Sequence, residues 1–174
     1  MASSVADETL SKEKFLSRVT AEVIRKKFSR IEGGDWDDHK DRISFKIKLR
    51  NGDPNLSFDG LRLELFIFGQ SMVDQKALKL LQRATQSFSL APLKEFEFES
   101  PEIVSMWDNT GAIFGEKYKG WYLQIYGPDG ELLIEKNAVS LLTSTKDLPS
   151  LTEGSYYNKK LEPIAVSGPS GKSP

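Results

Sequence analysis

The sequence predicts an all-β chain folded as an antiparallel sandwich, and three observations carry that expectation. Apolar residues recur at every second position over several stretches, clusters rich in Gly and Pro separate those stretches at short intervals, and no helices alternate with them as a βαβ fold would require. With 174 residues and no cysteine, the chain is long enough to bury one core without disulfides or a structural metal.

Lys14 to Phe28 carries Leu16, Val19, Val23 and Ile24 at helical spacing. Val19, Ala21 and Val23 also alternate, and the β-branched content favours a strand. From Asp41 the alternation is strict, with Ile43, Phe45, Ile47 and Leu49 on one parity and Arg42, Ser44, Lys46, Lys48 and Arg50 on the other. That period of two marks a half-buried strand, and Asn51-Gly52-Asp53-Pro54 ends it in a turn. Asp59-Gly60 leads into Leu61, Leu63, Leu65 and Ile67 on one face, while Phe66 and Phe68 load the other. This strand is expected to be buried on both faces near its end.

Gln75 to Ala84 has good helix formers but lies at hairpin distance between strands, so an edge strand and a single helical turn both fit. Phe88 and Leu90, then Phe96 and Phe98 against Glu95, Glu97 and Glu99, predict a hairpin reversing at Ala91-Pro92. Tyr118 to Tyr126 sets Trp121, Leu123 and Ile125 on one face, and Gly127-Pro128-Asp129-Gly130 turns the chain into Leu132 and Ile134. The total is about seven strands, for which an immunoglobulin-like arrangement is expected. Residues 1–14 read as a flexible N-terminal segment, 15–162 as the domain, and 163–174 as a disordered tail.

Acids and bases nearly cancel, leaving a net charge of -1, so no global field draws in nucleic acid. The N-terminal residues lack the apolar core of a signal peptide, and no run of apolar residues could span a bilayer as a helix. A mature exported chain with an added Met would read the same way.

The segment from Glu32 to Asp41 holds five acids, Trp36 and the sole histidine, His39. Asp35, Asp37, Asp38 and Asp41 could offer oxygens to calcium, but His39, Lys40 and Lys46 stand where an EF-hand needs an oxygen ligand, a Gly and a Glu. The Gly33-Gly34 pair fits a solvated hairpin loop better. His39 has no activated Ser or Thr setting beside it, a zinc site lacks ligands, and Glu95, Glu97 and Glu99 are the outward parity of a strand. Gly168 to Ser173 has two residues between the glycines before Lys172 where a phosphate loop needs four. No catalytic residue, metal or cofactor is therefore expected.

Two binding features remain. Arg42, Lys46, Lys48 and Arg50 form a basic stripe, extended by Arg25, Lys26 and Lys27 if these join it across the hairpin. It reads as a solvated sheet face, or as a patch for an acidic partner. Trp36, Trp107 and Trp121 would be the platforms of a carbohydrate-binding module if their rings were exposed, although Trp121 shares its parity with Leu123 and Ile125.

Two stretches carry a resemblance: Phe66-Ile67-Phe68-Gly69-Gln70-Ser71-Met72-Val73-Asp74-Gln75-Lys76-Ala77, and the run from Trp107 to Tyr122. The latter contains Asp108-x-Thr110-Gly111-x-x-Phe114-Gly115-x-x-Tyr118-x-Gly120-Trp121. Over roughly residues 19–161 the chain resembles a family of secreted, immunoglobulin-like envelope proteins of verrucomicrobia. That family includes an envelope protein of a gut mucin-degrader linked to a type IV pilus-like system. The resemblance implies export to the periplasm or outer-membrane surface with the signal peptide removed, and no enzymatic residues. Its partners would be proteins of the envelope or pilus system, or glycans, and a homo-oligomer is compatible with such a role. Gln124 stands where the second disulfide Cys of an antibody domain would be, so the resemblance does not extend to antibodies.

Overall fold

The computed structural model describes residues 11–31, 39–108 and 113–166. A short helix, α1 (Lys12–Arg18), precedes nine strands: β1 (Val19–Ile31), β2 (His39–Asn51), β3 (Phe58–Ser71), β4 (Leu78–Leu90), β5 (Glu95–Glu99), β6 (Ile103–Asp108), β7 (Phe114–Tyr126), β8 (Leu132–Asn137) and β9 (Tyr156–Tyr157). Every pairing is antiparallel, so the all-β sandwich read from the sequence stands. Nine strands are described where about seven were expected, because β6, whose inward positions fall on the opposite parity to those of β5, was not read from the sequence, and the two-residue β9 has no pattern of its own.

One layer is β1, β2 and, end to end along the far edge of β2, β5 and β6. The other runs β9-β4-β3-β7, with β8 on the free side of β7. β7 belongs to both: Phe114 and Gly115 pair with β6, and the rest of the strand pairs with β3. Ile43, Phe45, Ile47 and Leu49 of β2 share one apolar cluster with Leu61, Leu63, Leu65 and Ile67 of β3 and Trp121, Leu123 and Ile125 of β7. That cluster is the sandwich core, and removing each such side chain from water is worth about 1.5–3 kcal/mol.

The opposite face of the second layer is buried too, as the double-sided β3 pattern implied. Phe66, Phe68, Leu80 and Tyr122 are covered by Leu141, Leu142, Leu148, Leu151 and Leu161 of the C-terminal segment. Tyr122 anchors this cover, its hydroxyl accepting from the amides of Leu141 (2.7 Å) and Leu142 (3.0 Å).

Three local expectations are corrected. Lys14 to Arg18 is helix, not strand. Ser11 caps the helix by accepting from the Lys14 amide at 3.1 Å, and Phe15 is buried edge-on against Phe58 with ring centroids 5.2 Å apart. Lys12 to Lys14, expected in a flexible segment, belong to this helix, and the strand begins at Val19, where alternation starts.

The expected β4–β5 hairpin is a crossover between layers. β5 pairs with β2, and Phe88 meets Phe96 as stacked rings with centroids 4.3 Å apart. Asn51 secures the crossover: fully buried, it donates to the carbonyls of Leu56 (2.7 Å), Leu90 (3.3 Å) and Ala91 (3.2 Å). The Gln75 to Ala84 ambiguity resolves to a turn and then β4, because β3 and β9 give Leu78 and Lys79 strand partners on both sides.

Near the C-terminal end of the described residues, Pro163 bridges to Tyr157 and the Ile164 amide donates to the Tyr156 carbonyl at 3.0 Å, so these two residues, expected in the tail, are tied to β9. The phosphate-loop-like stretch Gly168–Ser173 lies outside the described residues.

Candidate functional site

At one end of the first layer, β2 and β6 bring His39, Asp41 and Trp107 together. His39 and Trp107 are cross-strand partners whose rings stack 4.1 Å apart. From the strand on the other side of β6, Lys117 lies 4.7 Å from the centre of the Trp107 ring. The indole N–H donates to Asp41 at 3.2 Å, and the Lys27 ammonium is 3.4 Å from the same carboxylate. Burial works to raise the Asp41 carboxyl, but hydrogen bonds from Ser29 and Trp107 and the charge of Lys27 outweigh it and hold it below its ordinary value.

Gly115 closes this corner. With φ +78° it sits in left-handed backbone, and a Cβ there would stand 1.9 Å from the carbonyl oxygen of Met106. The second glycine of the sequence motif is thus required both by its conformation and by the close approach of β6 and β7.

The sequence-derived candidates fall in different places. Trp107 and Trp121 are only 7% and 9% exposed, so the alternative of exposed sugar-stacking rings fails at both and they pack inward. The first is sandwiched between His39 and Lys117, and the second fills the core beside Phe45. Trp36 lies outside the described residues, as do Asp35, Asp37 and Asp38. Of the four possible calcium ligands, only Asp41 is described, and its carboxylate is already held by Lys27 and Trp107. Among the described residues no three acidic or imidazole side chains gather as a metal site.

Arg42, Lys46 and Lys48 do share the outer face of β2, but that face is an ion-pair ladder. Lys46 lies 2.9 Å from Glu97 and 3.9 Å from Glu99, Lys48 lies 3.5 Å from Glu97, and Arg42 lies 3.6 Å from Glu102. The hydrogen bond to Glu97 raises Lys46 above its ordinary pKa, and the same bond lowers Glu97. Glu97 and Glu99, read as merely outward, are the counter-charges of the stripe. Of Arg25, Lys26 and Lys27, only Lys26 joins it. Arg25 and Lys27 sit opposite Phe45 and Ile43 and so turn to the inner face, Arg25 lying 5.0 Å from the centre of the Tyr118 ring.

Two further clusters escaped sequence reasoning. Buried Glu64 takes Arg62 and Arg83, each at 3.2 Å, and beside it Tyr126 donates to Gln124 (2.6 Å), which donates to Glu135 (2.8 Å). Glu116 accepts from the hydroxyl of Tyr156 and lies 3.3 Å from Lys79; burial and this carboxylate push Tyr156 up to about 12. An acid inside a strand buried on both faces needs a partner, and Glu64 between Leu63 and Leu65 was that signal. Its partner across 19 residues was not visible. Both clusters tie strands or the C-terminal cover to the second layer.

What remains open is backbone. β1 is 13 residues long and pairs only with β2 among the described residues, leaving its other edge bare. Beside its first residues a groove of about 510 Å³ separates it from β8, with Leu16, Thr20 and Ala21 on one wall and Ile134 and Lys136 on the other. Lys136 reaches across and donates to the Ala21 carbonyl at 2.6 Å.

These features define an all-β antiparallel sandwich in which, among the described residues, the outer edge of the long strand β1 has no strand partner. No family model matches the chain, and no curated protein matches it. Similar solved structures include a structural-genomics target solved by X-ray crystallography, at 12% identity and a TM-score of 0.36 over 75% of this chain and 94% of that one. Another is a crystal structure from Akkermansia muciniphila, at 9% identity and a TM-score of 0.36 over 78% of each chain. At that overlap neither likeness bears on function. Among the described residues no helix is long and apolar enough to cross a membrane.

Proposed function

We propose that this chain is a non-catalytic, exported binding or assembly module of a bacterial cell envelope, working with protein partners of a type IV pilus-like system or in adhesion to a host surface. The observation that supports a binding role is the bare edge of β1. Its unpaired amides and carbonyls are a template for strand addition, in which the backbone supplies affinity and flanking side chains supply selectivity. Asp41, Glu64, Glu97 and Glu116 are engaged in cross-strand contacts, which is the arrangement of a scaffold. The envelope setting is supported by the Trp107 to Tyr122 motif and its resemblance to secreted verrucomicrobial proteins.

The test is site-specific photo-crosslinking in intact cells. A crosslinker at Val23, on the bare edge, is expected to capture a protein of the envelope or pilus system, a second copy of this chain included, that the same group at Leu93, an exposed position elsewhere, does not. Capture that is equal from both positions, or that returns only cytosolic proteins, would overturn the proposal.

A further inference from the structure

The direction of the β1 backbone can be read residue by residue. The Arg18 carbonyl accepts from Gly52 on the β2 side at 2.8 Å, whereas the Ala21 carbonyl accepts from Lys136 on the other side. Antiparallel geometry alternates these directions, so Val23, Arg25, Lys27 and Ser29 turn both N–H and C=O to the open edge. Lys136 covers the edge at Ala21, and the uncovered part starts at Val23.

We propose that β1 pairs antiparallel with β1 of a second copy about a two-fold axis at Ile24, the Lys136 ammonium of each copy giving up its Ala21 carbonyl to the Lys27 amide of the other. This rests on the reading of the bare edge as the binding surface and names its occupant. Charge selects the register. Centred on Ile24, Glu22 of each copy faces Lys26 of the other, and Val23 and Arg25 exchange backbone hydrogen bonds across the axis. Glu22 and Lys26 are exposed, while Ile24 is half-buried and meets its own copy.

Neighbouring registers lose this match. A centre at Arg25 sets that guanidinium against itself, a centre at Lys26 sets Lys26 against itself and Arg25 against Lys27, and a centre at Val23 leaves Glu22 opposite Ile24. Lys26 is free to swing toward the partner, because its own contact with Glu99 is a long 4.0 Å between two exposed side chains. The Glu22–Lys26 pairs fall at non-hydrogen-bonded positions, where cross-strand side chains are closest. The interface is self-complementary, as a two-fold dimer requires.

The experiment is sedimentation equilibrium over a micromolar concentration series with charge-swapped chains. Wild type is expected to dimerise, and Glu22→Lys and Lys26→Glu are each expected to weaken the dimer by about tenfold or more, because each converts two attractive pairs into repulsive ones. An equimolar mixture of the two variants restores both pairs and is expected to recover wild-type affinity. Arg25→Pro removes an outward N–H without touching the β1–β2 ladder and is expected to leave a folded monomer, checked by circular dichroism.

A wild-type chain that stays monomeric, or a dimer indifferent to the swaps, would overturn the dimer. In that case capture of a different envelope protein at Val23 would leave the proposed function standing, whereas a charge-dependent dimer found only in the cytosol would do the reverse.

Discussion

The hydroxyl of Tyr122 accepts from the Leu141 amide at 2.7 Å and, by its second lone pair, from Leu142. One phenol on the central strand β7 thereby fixes the start of the segment that covers the outer face of the second layer. Tyr122→Phe leaves two buried amides without an acceptor and is expected to cost about 2 kcal/mol in urea denaturation. Hydrogen exchange should quicken across Leu141 to Leu161, while amides of β2 keep their protection.

Gly115 and Gly130 separate conformational strain from collision. Both have positive φ, +78° and +81°, but a Cβ at Gly130 meets nothing within 4 Å. Gly130→Ala is expected to cost about 1–2 kcal/mol, the penalty of left-handed backbone alone. Gly115→Ala drives a methyl into the Met106 carbonyl and is expected to cost more than ~3 kcal/mol or to prevent folding, as read by thermal melting.

Asp41 makes stability depend on acid. Its folded pKa lies below the unfolded value, so its contribution is complete above the unfolded pKa and is lost as pH falls through the folded one. Melting temperature measured on descending pH is expected to fall less steeply for Asp41→Asn than for wild type, with the two curves converging at the acidic end. An unchanged slope would remove the Lys27–Asp41–Trp107 contact from the account of this corner.

Asn51 holds the crossover between layers through three donated contacts, and its side-chain oxygen accepts from Asp53 at 2.9 Å. Asn51→Ala strands these buried carbonyls and is expected to cost about 3 kcal/mol. Asn51→Asp keeps the acceptor but not the donors, and is expected to be no less damaging in the same denaturation assay.

Much of this architecture was legible because alternation is a local signal. The Ile43 to Leu49 parity and the double loading around Phe66 and Phe68 placed β2 and β3 correctly, and Gly127 to Gly130 marked the β7–β8 turn. Pairing partners are a non-local property, and there the reading failed: Glu95, Glu97 and Glu99 look like the return arm of a hairpin until β2 presents Lys46 and Lys48 to them. Trp107 and Trp121 could not be separated from exposed platforms, since a ring's burial depends on distant residues such as His39, Lys117 and Phe45. The bare edge of β1 is invisible for the same reason, being defined by a strand that is not there among the described residues.

If this sandwich serves at the bacterial envelope through binding, as proposed above, its place in the cell is the most direct readout. Surface appendages would be sheared from native cells, and the sheared, outer-membrane, periplasmic and cytosolic fractions immunoblotted for this chain. The account predicts the signal in the sheared or outer-membrane fraction, with a periplasmic pool in transit. A signal confined to the cytosol would contradict it.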